Sequence, residues 1–408
     1  MYDFETLVRR SGVGNLKSIL TPDSISDLGI TSFIGAEFEF KTAPCLIESV
    51  IEAAKNGLFG FTIPDSMYLD QVEWWLKTVR GYDVDRSWIV PTHGTIFSVA
   101  TSIRLLTEPG EGVIIPVPGY NRYEQAANRL GRVPVFSELR VDDGGNYTLD
   151  FDDIEQKMSK KKNKLFILCN PNNPTGNIWG EEDQKTLALL SERYKVPVFS
   201  DEIFSEICFE GRTVIPYTRI AGRGGLAITS TSLGKTFGLT GVNHANVIIE
   251  NDDLRRDFLK QRDSDHFGSI DPMFYAALRG AYTPEGVDWL KQMSDYVWKN
   301  ALYIEQYCKN RLPEIRPVLP QGTYVLWMDF RGLGLNQEEL ERFLIEKAHF
   351  AADSGLEYYA EGFMRLNLTL PRKCITESFD RLSEALLHLR NKASSVGMSS
   401  SEGLTSLR

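Results

Sequence analysis

Short runs of apolar residues alternate, through the middle of the chain, with segments in which apolar residues return every three or four positions. That alternation predicts a largely parallel sheet covered by helices, an α/β fold. The expected strands are Trp88–Pro91, Gly112–Pro116, Leu165–Cys169, Val196–Ser200, Leu226–Thr229 and Asn246–Ile249. Between them Thr95–Leu106, Tyr120–Leu130, Glu181–Tyr194 and Asp252–Gln261 keep a helical period, and no internal repeat is visible.

From Gly286 to Leu312 the residues Val287, Leu290, Met293, Val297, Ala301, Ile304 and Tyr307 stay on one helical face, which predicts a single long helix joining two domains. Beyond it, Tyr324–Phe330 and Phe363–Leu368 read as strands and Gln337–Glu346 and Cys374–Leu387 as helices, a smaller α+β unit. The expected division is therefore an N-terminal segment 1–45 packing with the small domain, a large domain 46–285, an interdomain helix 286–312, a small domain 313–392 and a mobile tail 393–408. The tail is rich in Ser and Gly, and its Ser-Leu-Arg ending resembles a peroxisomal signal only loosely.

A net charge of −10, with lysines and arginines scattered along the chain, offers no positive field for phosphate backbones or anionic lipid, so nucleic acid is not an expected partner. The five cysteines form no CxxC pair, and five histidines accompany them, which points away from a disulfide framework or a structural metal site. No apolar stretch approaches membrane-spanning length and the N-terminus lacks an apolar signal core, so the expectation is a cytoplasmic protein.

Five short strings carry the candidate chemistry. Thr92-His93-Gly94-Thr95 stands between a strand and a helix, where backbone N–H groups can hold a phosphate, although glycine at such a turn is often a steric need alone. Asn170-Pro-Asn-Asn-Pro-Thr-Gly176 follows the run Leu165–Cys169; Asn173, fixed between prolines, could donate a side-chain N–H to a ligand oxygen or could serve the turn only. Asp201, in Ser200-Asp-Glu-Ile203, sits at the C-terminal end of a buried strand, where open parallel sheets bind ligands; it either pairs with a cation or caps the next segment. Ser230-Thr-Ser-Leu-Gly-Lys235 ends on a lysine that, taken alone, reads as a surface residue, and Arg365 in Phe363-Met-Arg-Leu-Asn367 could equally sit on a solvent-facing strand.

Together these strings resemble the pyridoxal-phosphate (PLP) enzymes of fold type I, the class I and II aminotransferases, over nearly the whole chain. Asn173, Asp201 and Lys235 are 28 and 34 residues apart, each on the end of its own expected strand, as that family arranges them. The resemblance implies that Lys235 is the catalytic lysine holding PLP, that Asp201 pairs with the pyridinium nitrogen, and that Asn173 meets the phenolic oxygen. It further implies that Gly94, Thr95, Thr231 and Ser232 serve the phosphate, that Tyr120 stacks on the ring, and that Arg365 grips a substrate carboxylate beside Ala36. No metal is implied.

Within that family the segments Thr42-Ala-Pro-Cys45, Gly57-Leu-Phe-Gly60 followed by Phe61, Glu108-Pro-Gly-Glu-Gly-Val113, Ser200-Asp-Glu-Ile203 through Phe209-Glu-Gly211, and Ile215-Pro216 resemble the MalY/PatB cystathionine β-lyase branch, which cleaves C–S bonds. Asn243 stands where many transaminases carry a phosphate-binding arginine, as that branch also lacks it. Three departures are visible. Phe204 replaces a Tyr or His, Phe61 replaces a tyrosine that reaches the neighbouring subunit's phosphate, and Glu37 and Glu39 replace aspartates. These changes are either drift or the mark of a specialised substrate, as in secondary metabolism. The expected function is a C–S β-lyase acting on a cysteine conjugate; an aminotransferase or other PLP-dependent elimination or substitution enzyme, and a regulatory protein on the PLP fold, are the alternatives. A homodimer is expected from the resemblance, with Phe61 and Ser269 as candidates to cross the interface.

Overall fold

The computed structural model describes residues 2–8, 14–15, 29–142 and 145–401. Seven strands form the main sheet: β1 (Ile89–Thr92), β2 (Gly112–Val117), β3 (Val133–Glu138), β4 (Asn163–Cys169), β5 (Val198–Asp201), β6 (Ala227–Thr231) and β7 (Ala245–Ile248), in the order β1-β7-β6-β5-β4-β2-β3. Strands β6, β5, β4, β2 and β3 run parallel, and β7 is antiparallel to both its neighbours. The period of two along each strand divides the core into layers. Val113, Ile115, Leu165 and Ile167 point to one face, where Val99, Ile103 and Phe258 cover them, while Ile114, Phe166 and Leu168 point to the other, under Ile154, Leu187 and Leu190.

Every expected strand and helix of this layer is present, with ends shifted by at most three residues. Helix α3 (Thr95–Leu106) follows α1 (Pro44–Asn56) and α2 (Ser66–Arg80), neither of which was expected. Strand β3 was also missed, because Pro134 interrupts its apolar pattern; proline is tolerated there because the strand lies at the sheet edge.

The long helix Pro284–Arg311 leads to a four-stranded antiparallel sheet of β8 (Arg316–Val318), β9 (Val325–Asp329), β10 (Asp353–Ser354) and β11 (Phe363–Asn367), ordered β8-β9-β11-β10. Thr31–Ser32 pairs in parallel with Phe350–Ala351 beside that sheet, and Phe33 stacks on Phe350 at 4.6 Å. The last helix runs from Arg372 to Ser401, nine residues into the segment expected as a tail; 402–408 lie outside the described residues.

The strand register sets up the site. Cys169 lies opposite Asp201, Asp201 opposite Ser230, and Thr231 opposite Asn246, whose neighbour Ala245 pairs with Thr92. Four loops carrying candidate residues therefore leave the sheet at one edge, where β11 of the small sheet faces them.

Candidate active site

A cavity of about 530 Å³ opens at this edge, lined by residues from both sheets and from the segment 34–37. Asp201 forms its floor. Only 2% exposed, it accepts a hydrogen bond from the Tyr123 hydroxyl at 2.5 Å and one from the Ile203 amide at 3.2 Å. Burial pushes its carboxyl up to about 6, although the Tyr123 hydroxyl, the Ile203 amide and the Lys235 charge pull the other way. No cationic side chain among the described residues pairs with it. A buried carboxylate with only neutral donors has room for a cationic partner from a ligand.

Lys235 rises from the short helical turn Leu233–Thr236 that follows β6. Its Nζ donates to the Ala36 carbonyl at 3.0 Å and to Thr240 Oγ1 at 3.3 Å, and lies 5.8 Å from the centre of the Phe204 ring. Burial, and next the Arg365 guanidinium, push its ammonium down to about 8, against the opposing fields of Glu37 and Asp201. At neutral pH an amine so placed is neutral for an appreciable part of the time, whereas an ordinary lysine is not.

At the far side, Gly94 begins α3 with φ 105°, and no side chain caps the helix. Its free first-turn N–H groups and helix dipole form an anion seat next to Thr95, whose hydroxyl lies 3.2 Å from that of Ser230. Tyr120 stands over the cavity, and its ring meets Tyr123 edge-on at 5.6 Å.

Arg365, near the middle of β11, is held on three sides. Asp353 accepts from its Nε at 3.0 Å and, more closely, from Nη2; Asn173 Oδ1 accepts from Nη1 at 3.0 Å; and the Tyr358 ring lies 4.9 Å from the guanidinium carbon. Burial opposes its charge, but Asp353 and the tyrosines raise its pKa above the ordinary arginine value. Of the five guanidinium N–H groups two, one on each terminal nitrogen, have no partner among the described residues and can meet a carboxylate.

Lys235, Asp201, Asn173, Tyr120, Phe204, Gly94, Thr95, Ser232, Ala36 and Arg365 thus line one cavity. Two expected residues do not. Thr231 is enclosed in β6, its hydroxyl buried without a partner, and the neighbouring Ser230 is the one that reaches Thr95. Phe61 is fully exposed and lines a separate cavity of about 610 Å³, which adjoins the first through His93, Val242 and Asn243. Ser232 does face the site, but its hydroxyl donates to the His244 carbonyl at 2.7 Å. Sequence reasoning missed Tyr123, Asp353 and Tyr358. Only Tyr123 carried a signal, since it stands in the first turn of the helix Arg122–Arg129, three residues after the expected ring-stacking Tyr120.

A buried carboxylate, a lysine with a lowered pKa and an uncapped helix start, arranged around one cavity, fit a flat cofactor that is cationic at one end and phosphorylated at the other. Comparison with known proteins agrees. The model of the family Aminotransferase class I and II matches residues 37–382. The chain belongs to that family. It is 30% identical to Protein MalY of Escherichia coli over 396 residues, 96% of this chain and 100% of MalY. With cystathionine beta-lyase PatB of Bacillus subtilis it shares 29% identity over 354 residues, 86% of this chain and 91% of PatB. The crystal structure of cystalysin from Treponema denticola, which contains a pyridoxal 5'-phosphate cofactor, superposes with a TM-score of 0.90 at 31% identity, covering 95% of this chain and all of cystalysin. The fold is therefore that of the PLP-dependent fold type I enzymes, and PLP is the family's cofactor.

Proposed function

We propose that this protein is a PLP-dependent C–S β-lyase that releases a thiol from a cysteine conjugate by α,β-elimination. The observation that carries the reading is the convergence of Asp201, Lys235 and Arg365 on one cavity, in a chain aligned over most of its length with a cystathionine β-lyase. When bound, PLP supplies an electron-withdrawing ring that makes a bond at the substrate's α-carbon easier to break.

The protein's residues do the rest. Asp201, as an anion, would stabilise a cationic ring nitrogen. The N-terminus of α3, with Thr95, receives the phosphate, while Asn173 keeps its side-chain amide N–H available beside Arg365. The two free N–H groups of Arg365 bind the α-carboxylate and so fix the direction of the Cα–H bond. Lys235 Nζ, neutral for part of the time at pH 7, accepts the α-proton beside the Phe204 ring. Loss of the β-thiolate leaves a three-carbon fragment that hydrolyses to pyruvate and ammonia.

The domain division given by the sequence, with the last helix carried on to Ser401, the cytoplasmic location and the homodimer belong to the same proposal. Among the described residues no helix is long and apolar enough to cross a membrane. Self-association is supported by the exposed run Leu58, Phe59, Phe61 and Ile63 beside Asn243 and the cavity mouth. An apolar surface of this kind is stabilised by burial against a second copy.

Purified holoenzyme incubated with L-cystathionine, and separately with an S-alkyl cysteine, tests the activity. Pyruvate and free thiol in equal amounts are expected, without any added keto acid. Keto acid formation that depends on an added amino acceptor, with no thiol, would mean a transaminase instead. Borohydride reduction followed by peptide mapping should place the cofactor on Lys235.

A further inference from the structure

Asp353 is a buried charge that the proposed reaction does not use. It stands opposite Arg365 in the antiparallel register of β10 and β11, so the two side chains share one face of the small sheet. Both are buried, 8% and 4% exposed. Asp353 Oδ2 accepts from Arg365 Nε and Nη2, and the same carboxylate accepts from the Gly35 amide, at 3.2 Å through Oδ1 and 3.0 Å through Oδ2. The next residue is Ala36, whose carbonyl accepts from Lys235 Nζ, from the Thr240 hydroxyl at 3.1 Å and from the Tyr324 hydroxyl at 3.0 Å. One carboxylate therefore ties the guanidinium to the backbone segment that holds the catalytic lysine.

A buried ion pair contributes little net stability once both charges have been desolvated, so stability alone is a weak reason for this arrangement. Orientation is a better one. Asp353 occupies the side of the guanidinium formed by Nε and one terminal nitrogen, Asn173 takes one N–H from the other, and Tyr358 covers a face. What is left for a carboxylate is one N–H on each terminal nitrogen. Without Asp353 the guanidinium is free to turn about its last side-chain bonds and Gly35 loses its anchor.

We propose that Asp353 is a positioning residue for substrate recognition: it turns the remaining terminal N–H groups of Arg365 to the α-carboxylate and holds the Gly35–Ala36 backbone against Lys235. This rests on the reading of Arg365 as the carboxylate anchor.

The test compares two probes on the holoenzyme, L-alanine and its carboxylate-free counterpart ethylamine, each titrated against the absorbance of the bound cofactor. Neither has a β-leaving group, so binding is read without elimination. Asp353→Asn keeps the shape and removes the charge. The expected result is a Kd for L-alanine raised by roughly tenfold or more, the scale of a charged hydrogen bond, with the Kd for ethylamine within about twofold of the parent. Should Asp353→Asn fail to fold, Asp353→Glu is read in the same way; its longer stem keeps the charge but displaces Arg365, and the same selective loss is expected. Equal changes for both probes, or none, overturn the proposal. Arg365→Lys separates the two ideas. A selective loss of L-alanine in Arg365→Lys but not in the Asp353 variants overturns the role of Asp353 alone, and no selective loss in Arg365→Lys overturns the anchor reading and this proposal with it.

Discussion

Tyr123→Phe removes one hydroxyl and leaves the ring that packs between β2 and α3, so its consequences can be worked out from Asp201. The folded-state carboxyl titrates at about 6 against an ordinary 3.8. That difference of about two pH units means that the ionised carboxylate costs the cofactor-free fold about 3 kcal/mol. Because the folded pKa lies above the unfolded one, this group's contribution to stability is fully present below about pH 4 and is lost as pH rises through about 6. The Tyr123 hydroxyl, donating at 2.5 Å, holds the cost down. A hydrogen bond to a charged group is worth about 1.5–3 kcal/mol against about 1 kcal/mol for one to a neutral group, so its removal should lift the folded pKa by about 0.5–1.5 further pH units. Urea denaturation of the cofactor-free protein at pH 4.5 and pH 8 reads the effect. At pH 4.5 the carboxyl is protonated in the fold and the substitution should cost about 1 kcal/mol, an ordinary neutral hydrogen bond; at pH 8 the cost should be larger by about 1–2 kcal/mol. Other titrating groups are common to both proteins and cancel in the difference. A penalty that is the same at both pH values would refute the idea that Tyr123 acts through the charge on Asp201. With the cofactor bound, a cationic ring nitrogen supplies the missing partner, and the gap between the two pH values should narrow.

Lys235 in the cofactor-free protein should react with an acylating reagent with a midpoint near pH 8, because burial and Arg365 disfavour its ammonium form. Peptide mass spectrometry of pulse-labelled samples measures it, and a midpoint near 10.4, the value of lysine in model peptides, would refute the reading. Phe61→Asp places a charge in the exposed run 58–63 and should raise the dimer Kd by about tenfold or more without altering the circular dichroism of the protomer. Sedimentation velocity over a concentration series reads the shift, and an unchanged association would remove this face from the interface.

What could be read from the sequence, and what could not, follows from how each residue acts. Lys235, Asp201 and Asn173 were legible because each stands at the end of a strand in a parallel sheet. There the chain order of the strands and the register of their ends bring separated residues to one edge, and short strings such as NPNNPTG mark the turns. The helices Thr95–Leu106, Glu181–Tyr194 and Gln337–Glu346 matched to the residue because their apolar faces are regular, and the last also starts on a capping asparagine, Asn336. Helices α1 and α2 went unseen although their apolar period is present, since Phe59 and Phe61 between them blur where one ends.

Thr231 and Ser230 differ by one position in a strand, and a shift of one residue turns a side chain to the opposite face, so a string of hydroxyls cannot say which of them reaches α3. Asp353 is less legible still. Asp353-Ser-Gly355 has the composition of a turn, and nothing in it shows that its carboxylate faces Arg365 across a sheet while also holding Gly35, 318 residues away. Residues that touch a ligand are constrained by the ligand and leave local patterns; residues that orient those side chains are constrained only by the packed fold. In this chain the second kind, Tyr123 below Asp201 and Asp353 beside Arg365, sets the charge of one cavity-lining group and the direction of another. For both, the informative measurement is therefore the pH dependence or the ligand discrimination of its partner, since loss of activity alone would not separate orientation from contact.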